Sequence, residues 1–241
     1  MMSADKLVTK LKSIAGCYKT LYVMGCFGAP MTAANKERYI AHHEYNRRPG
    51  PKAAIQAATA DTFGFDCVCL VKGVLWNWRG DKNHIYGGAT YASNGVPDIG
   101  ADSMIQVCKE VSTDFSKIVP GELLWKSDHV GIYIGNAMAV ECTPAWNNCV
   151  QITDVQNIMS TGNRPARTWV KHGKLPYVKY GLPLPFEDVS ESNWFYDAVR
   201  SMYEKGIMKG VDNTHFKPNG TLTRAEFAQL VQNLFDKGYL K

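Results

Sequence analysis

The chain has 241 residues and contains neither a long hydrophobic run nor a marked surplus of charge. No stretch approaches the roughly 18 consecutive apolar residues of a membrane-crossing helix, so no membrane insertion is expected. The opening MMSADKLVTKLKSIAGC interleaves Lys6, Lys10 and Lys12 with Leu7, Leu11 and Ile14, which does not match the apolar centre of a signal peptide. The expectation is therefore synthesis in the cytoplasm and passage outward by another route. Charged residues make up 20% of the chain and the net charge is +5, too mild to call for nucleic acid as a partner. An even cysteine count is also missing. Seven thiols (Cys17, Cys26, Cys67, Cys69, Cys108, Cys142 and Cys149) cannot all pair within one chain, so a disulfide framework is not expected. Cys67-x-Cys69 and Cys142-x6-Cys149 lack the spacing of about two to four residues typical of zinc ligands, and neither metal nor other cofactor is expected.

What is present supports a folded protein: 45% hydrophobic and 11% aromatic residues can order a core. At roughly 150 residues per domain the length corresponds to about 1.6 domains. The stretch GKLPYVKYGLPLP, from Gly173 to Pro185, reads as a linker between a domain over 1–172 and a module over 186–241. From Phe186 onward there are 8 acidic and 7 basic residues (−1), so the remaining +6 belongs to the first part, where it favours contact with an anionic surface.

Periodicity predicts an amphipathic helix over about Ala4 to Ile14, with Leu7, Val8, Leu11 and Ile14 on one face. Further helices are predicted over Ala33–Tyr45, within the Ala-rich Lys52–Thr62 and over Ala101–Val111, with the Asn46–Pro51 segment as a breaker. Asp81 to Gly100, rich in Gly, Asn and aromatics, reads as a long loop able to line a cleft. Asp66 is placed as N-cap of a helix whose face is Leu70, Val71, Val74, Leu75 and Trp78, which sets Cys67 in the first turn. Gly121–Trp125 is a candidate strand, followed by a hairpin of His129–Ile134 and Ala137–Cys142 around Gly135-Asn136. Thr168–Val170 is a further candidate strand.

The hairpin has a chemical consequence. His129 and Glu141 are an even twelve residues apart about Gly135, so paired strands put imidazole and carboxylate across from each other on one sheet face. A carboxylate on one ring nitrogen aims the other at a nucleophile, and a helix N-terminus favours a thiolate. Cys67, His129 and Glu141 thus form a candidate catalytic triad, although each residue type is commonly structural when found alone. Cys69, two residues along the same helix and so about 200° around it, is expected to face away and pack.

GFDCVCLVKG (Gly64 to Gly73), followed by GELLWKSDHVGIYIGNAMAVEC (Gly121 to Cys142), resembles the NlpC/P60 cysteine peptidase family. The resemblance implies an α+β, papain-like fold with a nucleophile helix packed on a small antiparallel sheet. It also implies hydrolysis of peptide or amide bonds in bacterial peptidoglycan, with Cys67 as nucleophile, His129 as base and Glu141 as orienting residue. Tyr22-Val23-Met24-Gly25 is similar to the family's Tyr-x-x-Gly segment, which adds Tyr22 as a support of the active centre. Val68 and Cys69 stand where the family usually has Ser and Gly, and Glu141 stands where it more often has His, Asn or Gln, which gives a more charged centre, similar in that respect to the related CHAP amidases. The expected reaction is D-glutamyl endopeptidase cleavage of the stem peptide; the alternatives are N-acetylmuramoyl-L-alanine amidase action with the same triad and, from another class, a non-catalytic wall-binding protein.

In the tail, Thr223 with Glu226 three residues later is a capping box before a helix predicted to bury Phe227, Leu230, Val231 and Leu234. An earlier helix, from about Asn193 to Gly206, is predicted to bury Trp194, Ala198, Val199 and Met202. Phe186-x-Asp188-Val189, Trp194, Gly206-Ile207, Gly210, Phe216-x-Pro218 and Leu222-Thr223-Arg224-Ala225-Glu226 closely resemble one S-layer homology module, expected to be a small all-α unit. The resemblance implies attachment to anionic secondary cell-wall polysaccharide, with Arg224, Asp188 and Trp194 as candidate binding residues. Such modules usually occur three in a row, so a single copy implies a homo-oligomer, most simply a trimer. Together the two resemblances imply an endolysin of a phage, held in the host bacterial cytoplasm before release and then acting at the cell wall.

Overall fold

In the computed structural model, residues 1–158, 163–181, 184–190 and 193–240 are described. The chain divides into two compact units, Met1–Tyr180 and Gly181–Lys241.

The first unit runs β1 (Met2–Ser3), α1 (Ala4–Cys17), β2 (Thr20–Tyr22), β3 (Phe27–Pro30), α2 (Ala33–His42), α3 (Glu44–Arg47), α4 (Pro49–Ala57), β4 (Phe63–Phe65), α5 (Cys67–Leu75), α6 (Ala101–Val107), β5 (Lys109–Ser112), β6 (Leu123–Lys126), β7 (His129–Gly135), β8 (Met138–Thr143), β9 (Cys149–Val155), β10 (Ala166–Arg167), β11 (Lys171–Lys174) and β12 (Val178–Lys179). Seven strands form one sheet in the order β10-β9-β8-β7-β6-β11-β5, β2-β4-β3 form a second sheet, and β1 pairs with β12. The architecture is α+β.

The sheet's two faces separate the His129 and Glu141 side chains from the main core, which includes Cys67. Alternation along β7 and β8 sends Val130, Ile132, Val140 and Cys142 to the face covered by α5 and α1, where they join Leu7, Leu11, Leu70 and Val74. The opposite face carries Tyr133, Ala139 and Trp169 in a smaller cluster. Ser3 caps α1, its side chain accepting from Lys6 N at 3.2 Å, and Ala4, Leu7, Val8, Leu11 and Ile14 are buried as their spacing requires. Gly73 of α5 lies so close to β3 that a Cβ there would meet the Phe27 carbonyl oxygen at 2.7 Å, which lets helix and strand touch backbone to backbone.

Several elements depart from the sequence reading. The predicted Ala33–Tyr45 helix breaks at His43, which is extended (φ −130°, ψ 133°) and caps α3 by accepting from Tyr45 N at 3.2 Å. Pro49 and Pro51 open α4 instead of breaking a helix, since proline's missing N–H costs nothing in a first turn. The Ala101–Val111 helix stops at Val107 and the chain turns into β5. β9 was not anticipated. The stretch read as a linker begins within β11 and contains β12: Lys171–Gly173 pair with Trp125–Leu123 and Val178 with Met2, so Pro176 lies between two strands.

The second unit holds α7 (Tyr196–Glu204) and α8 (Arg224–Asp236). Its core is Phe186, Val189, Tyr196 and Val199, with Tyr203 and Phe216 packed against it. The Thr223/Glu226 capping box closes as expected. The predicted burial on α8 does not occur: no α8 residue is buried and Phe227 is 56% exposed. One short helix and a loop fill the core, while on α8 Leu230, Val231 and Leu234 are half-buried and Phe227 and Phe235 stay exposed.

Candidate functional site

Cys67 is the first residue of α5, directly after its N-cap Asp66. The buried Asp66 carboxylate ties this point to the segment following β2: Oδ1 accepts from Cys69 N at 2.7 Å and Oδ2 from Gly25 N at 2.8 Å. Gly25 adopts φ 77°, a conformation glycine takes without strain, and so delivers its N–H to Asp66. Tyr22 and Cys67 consequently line one cleft of about 740 Å³, together with Tyr86, Tyr91 and Asp128. The Tyr22 hydroxyl contacts Met24 Sδ at 3.9 Å, and burial, with Cys67 nearby, raises its pKa. Cys69 is buried at the same cleft wall.

The Cys67 thiol lies 3.9 Å from the Asp128 carbonyl oxygen, on the backbone that leads into His129. Among the described residues no hydrogen bond joins Sγ to the imidazole. Burial, reinforced by the Asp66 carboxylate, pushes the thiol up to about 12, so it rests protonated and needs a base to become a nucleophile.

His129 and Glu141 do meet: Nε2 lies 2.6 Å from Oε2. Their placement differs from the expected one. The hairpin turns through Asn136 and Ala137, and its register pairs Ile132 with Val140, with an irregularity between Tyr133 and Gly135. That register sets Glu141 across from Gly131, so it meets His129 on the diagonal of the same face. With Nε2 committed to the carboxylate, Nδ1 is the nitrogen left to take a proton.

Glu141 is 0% exposed and held by more than the histidine. Thr153 Oγ1 donates to Oε1 at 2.7 Å, and Arg167 Nε lies 3.0 Å from Oε1 and 2.7 Å from Oε2. Burial alone would raise the Glu141 pKa; hydrogen bonds from His129 and Arg167 outweigh it and hold the carboxyl below its ordinary value. Trp169 stacks on the His129 ring at 5.6 Å and 12°. Sequence reading missed Arg167 and Thr153. Thr153 lies on the unanticipated β9, and Arg167 is 26 residues from Glu141 on a two-residue strand, so neither gives a local signal. A buried glutamate of this kind does demand a cation, and that demand is the signal a sequence search could use.

On the cleft's other side the buried Lys72 of α5 pairs with Asp98 and donates to Ile99 O at 3.1 Å. Tyr91 donates to the same aspartate at 2.8 Å. These contacts fasten the 81–100 loop to the helix that bears Cys67. Among the described residues no group of three His, Cys, Asp or Glu side chains could hold a metal ion.

In the second unit, Asp188 spends both oxygens on backbone, accepting from Phe216 N at 2.9 Å and Lys217 N at 2.7 Å. Arg224 is exposed at the first position of α8. Trp194 precedes α7 and is 93% exposed, against the expectation that it is buried. The unit's groove of about 570 Å³ is lined instead by residues including Lys209, Phe216, Lys217, Gln229 and Asn233.

Residues 185–228 match the S-layer homology domain. The chain carries one such domain. Over 51 residues it is 43% identical to the surface-layer 125 kDa protein of Lysinibacillus sphaericus, covering 21% of this chain and 4% of that protein. Endo-1,4-beta-xylanase A of Thermoanaerobacterium saccharolyticum is 28% identical over 95 residues, covering 39% of this chain and 7% of the enzyme. The chain thus spans only a few per cent of the length of these relatives. Among solved structures, NlpC2 from Trichomonas vaginalis aligns with a TM-score of 0.35 at 16% identity, over 71% of this chain and 46% of that one. NlpC1 from the same organism aligns with the same score and identity, over 71% and 44%.

Proposed function

We propose that the protein is a peptidoglycan hydrolase in which a papain-like, NlpC/P60-type thiol domain is joined to a wall-binding S-layer homology domain. The observation that carries this reading is the placement of a buried thiol at a helix start, against the strand whose first residue, His129, is bonded to a buried carboxylate. Cys67 gives its proton to His129 as sulfur attacks the scissile carbonyl; His129 then protonates the leaving amine, and water deprotonated by His129 releases the acyl group and restores the thiol. Glu141 orients the ring. The first-turn amides of α5 and the Tyr22 hydroxyl serve the oxyanion.

The bond we assign is that of a D-glutamyl endopeptidase in the stem peptide. Digestion of purified peptidoglycan, with fragments identified by mass spectrometry, tests it: new D-glutamyl carboxyl ends are expected, whereas stem peptides with free N-terminal alanine would show an N-acetylmuramoyl-L-alanine amidase. Cys67→Ala must lose the activity while melting like the parent. Turnover by that variant overturns the thiol mechanism, and absence of turnover in the parent leaves wall binding as the function.

The S-layer homology domain supports attachment to anionic secondary cell-wall polysaccharide, with Arg224 suited to a carboxylate partner. Pull-down with isolated wall polymer, comparing the parent with Arg224→Ala, tests that attachment. The exposed Phe227 and Phe235 of α8 favour association of copies through the tail, most simply as a trimer. An endolysin, delivered to the wall from the host cytoplasm, is the setting that unites the two activities; lysis of cell-wall suspensions by added protein is its expected property.

A further inference from the structure

We propose that Arg167 is a positioning residue of the Cys67, His129 and Glu141 centre, holding the Glu141 carboxylate ionised and in the orientation that serves His129. The inference rests on reading that centre as a thiol hydrolase. Oε2 of Glu141 meets both His129 Nε2 at 2.6 Å and Arg167 Nε at 2.7 Å, while Oε1 meets Thr153 Oγ1 at 2.7 Å and Arg167 Nε at 3.0 Å. Arg167 is thus the partner that spans both oxygens.

The guanidinium is itself fixed. It lies 4.9 Å from the ring centre of Trp146 and 5.7 Å from that of Trp169, and Nη2 reaches Thr143 Oγ1 at 3.4 Å. Trp169 also stacks on His129, so one indole sets both the plane of the imidazole and the seat of the cation. Among the described residues, the titratable and charged groups facing Glu141 are His129 from β7 and Arg167 from β10. β9 contributes the neutral Thr153 and Gln151, and its Asp154 belongs to the opposite face, where Arg164 pairs with it at 2.7 Å.

The chemical consequence follows from charge. A buried carboxylate whose sole counter-charge is an imidazolium makes the pair hold its proton tightly, and such a ring is a poor base. Arg167 supplies the counter-charge permanently, because a guanidinium does not titrate in the working range. Glu141 remains an acceptor for Nε2–H without requiring a second proton on the ring, and Nδ1 stays available for the Cys67 proton. A lysine would keep the charge but lose the planar contact with two oxygens and two indoles.

The test compares the parent, Arg167→Gln and Arg167→Lys as full chains. Arg167→Gln is expected to move the acid limb of the kcat/KM profile on peptidoglycan upward by about one pH unit. Arg167→Lys is expected to leave the limb in place while lowering kcat/KM several-fold. Carbon-13 NMR of the Glu141 carboxyl, which needs no turnover, should show proton uptake at higher pH in Arg167→Gln and not in Arg167→Lys. If the parent degrades no peptidoglycan, the hydrolase reading fails and the NMR titration still decides what Arg167 does to Glu141. An unmoved limb and carboxyl titration in Arg167→Gln, or a lysine variant that behaves like the glutamine one, overturns the proposal. Should Arg167→Gln not fold, Arg167→Lys and Trp146→Ala both keep the cation but loosen it. Each must lower kcat/KM with the acid limb in place, and parental rates in both overturn the proposal.

Discussion

His129 Nε2 and Glu141 Oε2 lie 2.6 Å apart although the strand register sets the two residues on a diagonal. A diagonal pair leaves room beside the carboxylate, and Thr153 and Arg167 occupy it. Glu141→Gln therefore removes more than the partner of His129: it strands a largely buried guanidinium without its counter-charge. The expected loss is about 3 kcal/mol of stability, read by urea denaturation, together with a large fall in hydrolysis.

The same carboxyl predicts how stability responds to acid. Its pKa is lower folded than unfolded, so its contribution is fully present above the unfolded value of about 4.3 and is lost as pH falls through the folded value. Melting temperatures measured downward from pH 6 should fall more steeply below about pH 5 for the parent than for Glu141→Gln. Parallel curves would contradict the assignment of that slope to Glu141.

The hairpin turn offers a gain. Asn136 and Ala137 both adopt positive φ, 52° and 55°, a combination that favours glycine at the second position. Ala137→Gly should relieve the left-handed alanine and stabilise the unit by about 1 kcal/mol, seen as a higher urea midpoint with unchanged slope.

The Lys72 and Asp98 pair should respond unequally to mutation. The lysine side chain is 4% exposed and the aspartate 43%. Asp98→Ala leaves a buried ammonium with one carbonyl partner, whereas Lys72→Met fills the same space with an apolar chain and frees a carboxylate into water. Denaturation should rank Asp98→Ala as the more damaging by about 2 kcal/mol. The reverse order would mean that the loop from Asp81 to Gly100 is not fastened through this pair.

For the tail, sedimentation of the full chain at micromolar concentration should show association, and Phe227→Glu, at an exposed position of α8, should abolish it without lowering the melting temperature. A parent that sediments as a monomer excludes the oligomer.

Much of the site was legible because its signals are local. An N-cap aspartate before a helical face placed Cys67 in a first turn, and even spacing within one hairpin placed His129 and Glu141 on one face. What escaped depends on distant partners. Arg167 is brought to Glu141 by β9 and β10, whose pairing has no trace in the local pattern. Lys171–Lys174 and Val178–Lys179 lie among prolines and glycines that suggest a linker, yet their backbone partners, Leu123–Trp125 and Met2–Ser3, come from an inner strand of the large sheet and from a strand about 175 residues earlier. On α8 the spacing predicted burial of Phe227, Leu230, Val231 and Leu234, but spacing alone does not say how far a face is covered: the last three are half-buried and Phe227 is exposed.

The parallel pairing of Met2 and Ser3 with Val178 and Lys179 also constrains the order of events during synthesis. Strand β1 finds its partner only after almost the whole first unit has been synthesised. Contacts of such long sequence separation are slow to form, since the intervening chain must first surrender its freedom. Replacing Met2 and Ser3 by residues that cannot pair would therefore leave the last strand of the first unit without its partner, just before the chain enters the second unit.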